Sequence, residues 1–131
     1  MKKIKTDILI VGAGLSGLMS AYCLSELNIN ISIVDQFDFT NTLSKGKDLR
    51  TTAISEGSKQ FLADIGIWKK IERYSEPIKY IKVLDRKATR SIKFNNPADK
   101  ENLGYIVKNS NIKNILLKEL KIKSNIRFFK K

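Results

Sequence analysis

Asp7-Ile-Leu-Ile-Val-Gly-Ala-Gly-Leu-Ser-Gly17 decides the fold. Ile8 to Val11 form an apolar run far too short to span a membrane, and such a run suits a parallel strand covered on both faces. Gly12, Gly14 and Gly17 then spell G-x-G-x-x-G between that strand and a helical pattern. Each glycine has its own task. Gly12 permits a tight turn out of the strand, Gly14 lets a pyrophosphate approach the backbone, and Gly17 lets the helix pack close to the sheet. The N–H groups of the helix that begins near Leu15 would face those phosphates. Ala21 keeps the next turn small on the same side.

The helical pattern runs to about Leu27, with Asn28 as a left-handed C-cap, and Ile31 to Val34 reads as a second strand. Asp35 closes it, near the spacing of about 20 residues expected of the acid that accepts a ribose hydroxyl. The pattern is that of a dinucleotide site.

At 131 residues, with 42% hydrophobic and 29% charged content, the chain has the make-up of one globular domain. It has no histidine, and Cys23 is its single cysteine, so an internal disulfide and a Cys/His zinc site are excluded. No metal site is expected, and Cys23 is expected to be a small buried residue of the first helix. The net charge of +12 raises nucleic acid and acidic membranes as partners. The lysines, however, are spread along the chain without a dense run or an aromatic stripe. Their excess accompanies that of Ile and Asn, as an AT-rich coding bias would produce. Specific nucleic-acid binding is not expected, while peripheral membrane association stays open. Lys2, Lys3 and Lys5 precede an apolar run, but Asp7 and the glycines break any signal peptide, which points to the cytoplasm.

Gln36 to Arg50 reads as a long polar loop of the kind that carries function. Arg50 closes it with a guanidinium suited to phosphate oxygens. Ser55 to Ile65 has a helical pattern with Ser55 as N-cap and Phe61, Leu62 and Ile65 on one face. Gly66 interrupts it, and Ile67 to Tyr74 is a second short helix, with Trp68 and Ile71 as packing residues. Pro77 ends the helical region. A strand from Ile78 to about Asp85 pairs with Ser91 to Phe94, and Asn95 to Ala98 is turn chemistry. Gly104 to Val107 is a strand, Asn109 to Ile122 a helix buried through Ile112, Ile115, Leu116 and Leu120, and Asn125 to Phe129 a last strand.

The order of motifs resembles the FAD-dependent hydroxylases of ubiquinone biosynthesis, within the p-hydroxybenzoate hydroxylase-like flavoprotein monooxygenases. The resemblance rests on the N-terminal glycine motif, on Asp48-Leu-Arg-Thr-Thr-Ala-Ile-Ser-Glu-Gly57, on Ile65-Gly-Ile-Trp68 and on Leu103-Gly-Tyr-Ile-Val-Lys-Asn109. It covers essentially the whole chain. It implies an α/β fold: a Rossmann-like FAD-binding β-α-β unit with a small antiparallel insertion, one FAD-binding domain over residues 1–131. It implies that Gly12, Gly14, Leu15, Ser16 and Gly17 line the FAD pyrophosphate and that Asp35, where the family more often has glutamate, takes the ribose. Arg50 would approach the flavin end or the phosphates, and Asn109 stands where relatives often place arginine or glutamine against the cofactor. In that family NAD(P)H reduces the flavin and activated oxygen attacks an electron-rich ring, a polyprenylated phenol in this pathway. No catalytic acid or base is expected from this segment.

Family members continue with an Asp-Gly and a later Gly-Asp motif, neither of which occurs here. The expectation is therefore a truncated domain, incomplete relative to the family. Three functions follow: the FAD-binding part of a monooxygenase completed by a separate C-terminal polypeptide, a non-catalytic remnant, or a small NAD-binding or charge-driven module.

Overall fold

The computed structural model describes residues 3–36, 39, 48–84, 91–95 and 102–131. The chain divides into two compact units, one of Met1–Leu49 with Asn109–Lys131 and one of Arg50–Lys108.

The first unit is built on three parallel strands, β1 (Ile8–Val11), β2 (Ile31–Asp35) and β8 (Ile126–Lys130), in the order β1-β2-β8. Helix α1 (Leu15–Leu24) makes the crossover from β1 to β2, and α4 (Asn109–Lys121) leads into β8. Parallel neighbours require such crossovers. Ile31 and Ile33 are fully buried, α1 and α4 pack together, and Leu18 and Ala21 of α1 and Leu116 and Leu120 of α4 are fully buried. The helical period of α4 reads as expected, with Ile112, Ile115 and Leu117 also buried. Phe128 of β8 meets Phe39 with ring centroids 4.8 Å apart, and the Lys121 ammonium donates to the Phe39 carbonyl at 2.5 Å.

Two sequence expectations fail in α1. The helix stops at Leu24 with Ser25 as a right-handed C-cap, and not at Asn28. The cause lies a hundred residues away. The Asn125 side-chain amide donates to the carbonyls of Ser25, Leu27 and Ile29 at 3.1, 3.3 and 3.0 Å, satisfying the chain that leaves the helix. Cys23 is exposed, because it lies on the helix face opposite the buried Ala21. Asn125→Asp will destabilise the unit more than Asn125→Ala, by about 1–3 kcal/mol in all, since a carboxylate cannot donate and would face carbonyl oxygens. Urea unfolding of the two variants checks the order.

Asp7 fastens the start of β1. Its carboxylate accepts from the Asn30 backbone N–H at 2.7 Å and from the Asn30 side-chain amide at 3.3 Å. The backbone bond first, then the side-chain bond, hold the Asp7 carboxyl below the usual aspartate range. A depressed folded-state pKa contributes stability above the unfolded value, and that contribution vanishes as pH falls through the folded value. Asp7→Ala should therefore melt below the natural protein at neutral pH, with the gap closing as pH falls through the lowered Asp7 value. Paired thermal melts across pH test this.

In the second unit, β3 (Thr51–Ser55), β7 (Gly104–Lys108) and β4 (Ser75–Ile78) form an antiparallel sheet with β7 in the middle. Both β3 and β4 go beyond the sequence reading, which assigned no element between the loop ending at Arg50 and the helix starting at Ser55, and ended the helical region at Pro77. Pro77 fits because, among the described residues, β4 pairs on one side, with β7. Helix α2 (Glu56–Asp64) starts where expected, with the Ser55 hydroxyl accepting from Ser58 N–H at 3.2 Å. Of its expected apolar face only Leu62 is buried, while Phe61 is half exposed. Helix α3 (Trp68–Glu72) buries Trp68 and Ile71, and Trp68 meets Tyr105 edge to face at 5.0 Å. Strands β5 (Tyr80–Leu84) and β6 (Ser91–Asn95) pair as an exposed antiparallel ribbon. Most of the loop expected from Gln36 to Arg50, and the turn after Asn95, lie outside the described residues.

Candidate dinucleotide site

The glycine turn has the geometry that its sequence demands. Gly12 adopts φ 105°, a region open to glycine, and its N–H donates to the Val34 carbonyl at 2.8 Å, holding the turn against β2. A Cβ on Gly17 would overlap the Gly12 carbonyl oxygen and crowd the Ile10 side chain, so only glycine lets α1 lie this close to β1. Gly14 is the opposite case. It is the N-cap of α1, and a Cβ there would meet nothing within 4 Å, so open space lies in front of the turn.

The first intrahelical bond of α1 runs from Leu18 N–H to the Gly14 carbonyl at 3.0 Å. The N–H groups of Leu15, Ser16 and Gly17 precede it, and they are the donors an α-helix leaves without intrahelical partners. No side chain caps this end and no acidic residue lies in its first turn. The helix dipole and these N–H groups therefore favour an anion at this place.

Asp35, at the carboxyl end of β2, joins the turn directly. Its carboxylate accepts from the Ala13 N–H at 2.5 Å, and Ala13 itself is fully buried. Sequence spacing placed Asp35 near the site but did not reveal this bond to Ala13, a residue absent from the expected set. The signal for it was only that the residue between Gly12 and Gly14 is small. A carboxylate accepts several hydrogen bonds at once, so an oxygen anchored to the turn is compatible with ribose hydroxyls as further donors.

Gly12, Gly14, Leu15, Ser16, Gly17 and Asp35 are thus gathered in one unit, at the carboxyl ends of β1 and β2. Asn109 is the first residue of α4 in the same unit. Arg50 belongs to the other unit, immediately before β3.

A pyrophosphate fits what is present: an open cradle at Gly14 and an uncapped helix N-terminus. Comparison with known proteins agrees. The family model for the FAD binding domain matches residues 5–129. The chain belongs to the FAD binding domain family. Among curated proteins it is similar to the ubiquinone hydroxylase UbiL of Rhodospirillum rubrum, 31% identical over 114 residues, which are 87% of this chain and 27% of the relative. It is also similar to the ubiquinone hydroxylase UbiM of Neisseria meningitidis, 28% identical over 116 residues, 84% of this chain and 25% of that protein.

Among solved structures, the p-nitrophenol 4-monooxygenase PnpA from Pseudomonas putida superposes with a TM-score of 0.74 at 15% identity, covering 99% of this chain and 33% of its own. PqsL from Pseudomonas aeruginosa, described as a probable FAD-dependent monooxygenase, superposes with a TM-score of 0.70 at 19% identity, over 95% of this chain and 33% of its own. These likenesses establish that the α/β fold, with its parallel and antiparallel sheets, is shared with PnpA and PqsL. The chain spans about a quarter of the length of the curated relatives it matches.

Proposed function

We propose that this FAD-binding domain serves a flavin-dependent aromatic-ring monooxygenase of ubiquinone biosynthesis and is inactive without further polypeptide. The observation that supports the cofactor reading is the Ala13–Asp35 bond, which holds a carboxylate able to accept from a ribose beside the open glycine turn. The pathway reading rests on the two ubiquinone hydroxylase relatives, and the need for further polypeptide on the quarter of their length that this chain spans.

In this reading Gly12, Gly14, Leu15, Ser16 and Gly17 hold the FAD pyrophosphate through backbone N–H groups, and Asp35 accepts from the adenosine ribose. Arg50 and Asn109 are the side chains assigned to the rest of the cofactor. Bound FAD supplies the redox and oxygen chemistry, and the chain's own residues bind and orient it. NAD(P)H is the proposed reductant and a polyprenylated phenol the proposed substrate of the complete enzyme. The net charge of +12 supports peripheral association with an acidic membrane surface. Among the described residues no helix is long and apolar enough to cross a membrane.

The deciding experiment is an absorbance spectrum of the purified chain with and without added FAD, followed by incubation with FAD, NADPH and a polyprenylated phenol. Flavin binding without hydroxylated product is the expected result. No flavin binding, or turnover by this chain alone, would overturn the reading. The anchored carboxylate also predicts discrimination. It accepts a free ribose 2′-hydroxyl and repels a 2′-phosphate, so FAD and NAD should bind more tightly than NADP. Asp35→Ala should weaken FAD about tenfold or more, the loss of one hydrogen bond to a charged group. Fluorescence titration measures both, and tighter binding of NADP would refute the ribose assignment.

A further inference from the structure

The three parallel strands begin in line, with Ile8 opposite Ile31 and Ile31 opposite Ile126. The segments that enter them, residues 3–7, 25–30 and 122–125, therefore lie side by side at one end of the first unit. The glycine turn is at the other end, beyond the carboxyl ends of β1 and β2. The entering segments are tied to one another. The Thr6 hydroxyl donates to the Asn30 carbonyl at 2.9 Å, Lys123 pairs with Glu26 at 2.6 Å, and Asn125 holds the carbonyls that leave α1.

A cavity of about 410 Å³ opens at this end. Lys3, Lys5 and Arg127 bring three positive charges to its wall, and Asp7 brings one negative charge. The Asp7 carboxylate already accepts twice from Asn30, and the Thr6 hydroxyl, also on the wall, is turned to main-chain carbonyls. Among the described residues no salt bridge or side-chain hydrogen bond engages Lys3, Lys5 or Arg127. Their donors are left for an anion from outside.

Each of the three segments also exposes a large aliphatic side chain. Ile4, itself on the cavity wall, is 46% exposed, Leu27 53% and Ile122 78%. Scattered singly, such residues call for no explanation. Here they stand on neighbouring segments, together with the unengaged cations. A membrane interface takes both kinds. Aliphatic side chains enter the acyl boundary, while lysine and arginine hold the phosphate layer above it. A nucleic acid would match the cations but leave the three aliphatic side chains in water.

We propose that the amino end of the parallel sheet docks on an acidic phospholipid surface, with a lipid phosphate in the cavity against Lys3, Lys5 and Arg127 and with Ile4, Leu27 and Ile122 in the interfacial layer. The proposal rests on the peripheral association read from the net charge of +12, and gives that association a place on the chain. Charge selects the lipid, since the cavity wall and the chain as a whole are both positive. The glycine turn, at the opposite end of the strands, then faces away from the membrane.

The test is sedimentation of the whole chain with vesicles of equal parts phosphatidylglycerol and phosphatidylcholine, and with vesicles of phosphatidylcholine alone. Binding to the acidic vesicles, weakened by salt, is expected. Each cation held near an acidic membrane contributes about fivefold in affinity, so Lys5→Gln with Arg127→Gln should bind about 25-fold more weakly. Ile122→Ser, at a position 78% exposed, should bind about tenfold more weakly with its thermal melt unchanged, and it decides the matter if the double variant does not fold. Lys82→Gln with Lys93→Gln removes the same charge from the exposed β5–β6 ribbon and should bind almost as the natural protein does. Equal losses in the two double variants would leave the membrane association standing and overturn this site. Absence of binding to acidic vesicles by the natural protein would overturn the association and the site together. Binding of an oligonucleotide that the Lys5 and Arg127 changes abolish, with vesicle binding untouched, would assign the cavity to nucleic acid and overturn the proposal.

Discussion

Gly14→Val is expected to abolish FAD binding while the domain stays folded. The two halves of this result have different causes. Nothing in the protein lies within 4 Å of a Cβ at this position, and the Gly14 backbone, at φ −71° and ψ −179°, is extended and open to any residue. The fold therefore has no reason to fail. The new side chain does fill the approach to the N–H groups of Leu15, Ser16 and Gly17. Losing about two charge-assisted hydrogen bonds of about 1.5–3 kcal/mol each corresponds to a loss of at least 100-fold in affinity. Gly17→Ala is the contrasting variant. Its single added carbon meets the Gly12 carbonyl oxygen, which is backbone and cannot swing aside, so the turn or the helix must move. This variant should lose thermal stability as well as FAD. Circular dichroism melts beside flavin-fluorescence titrations separate the two, and an unchanged FAD affinity in Gly14→Val would place the cofactor elsewhere.

Leu116→Ala should cost about 2–5 kcal/mol of stability, the range for emptying a closed apolar site. Leu116 is fully buried on α4, the helix that packs against α1. A domain with about 5–15 kcal/mol in total loses a large part of its margin to one such change. Urea unfolding should show a lower midpoint with an unchanged slope. Because α1 leads out of the glycine turn, the variant tests whether the site depends on a helix that joins the unit from the far end of the sequence. A loss below about 0.5 kcal/mol would show that α4 is not part of the core that supports the site.

The glycine turn with its flanking strands and helix start was legible in the sequence, because every determinant there is local. An apolar strand, glycines where a side chain would clash or block, and a helix without a cap are properties of about twenty consecutive residues. α4 was legible for the same reason, since its burial follows its own period through Ile112, Ile115, Leu116 and Leu120. What tertiary structure alone decided is what depends on a distant partner. β3 and β4 are strands because β7 lies between them, and Ser75-Glu-Pro-Ile78 carries no alternation to announce it. α1 ends at Leu24 because Asn125 takes the carbonyls beyond it. Phe61 is half exposed and Cys23 exposed because burial is set by what packs against a face, and hydrophobicity names only the candidates. Asp35 stands at the right spacing in the sequence, but its bond to the Ala13 N–H exists only because β1 and β2 run side by side, bringing the end of one strand to the turn that follows the other.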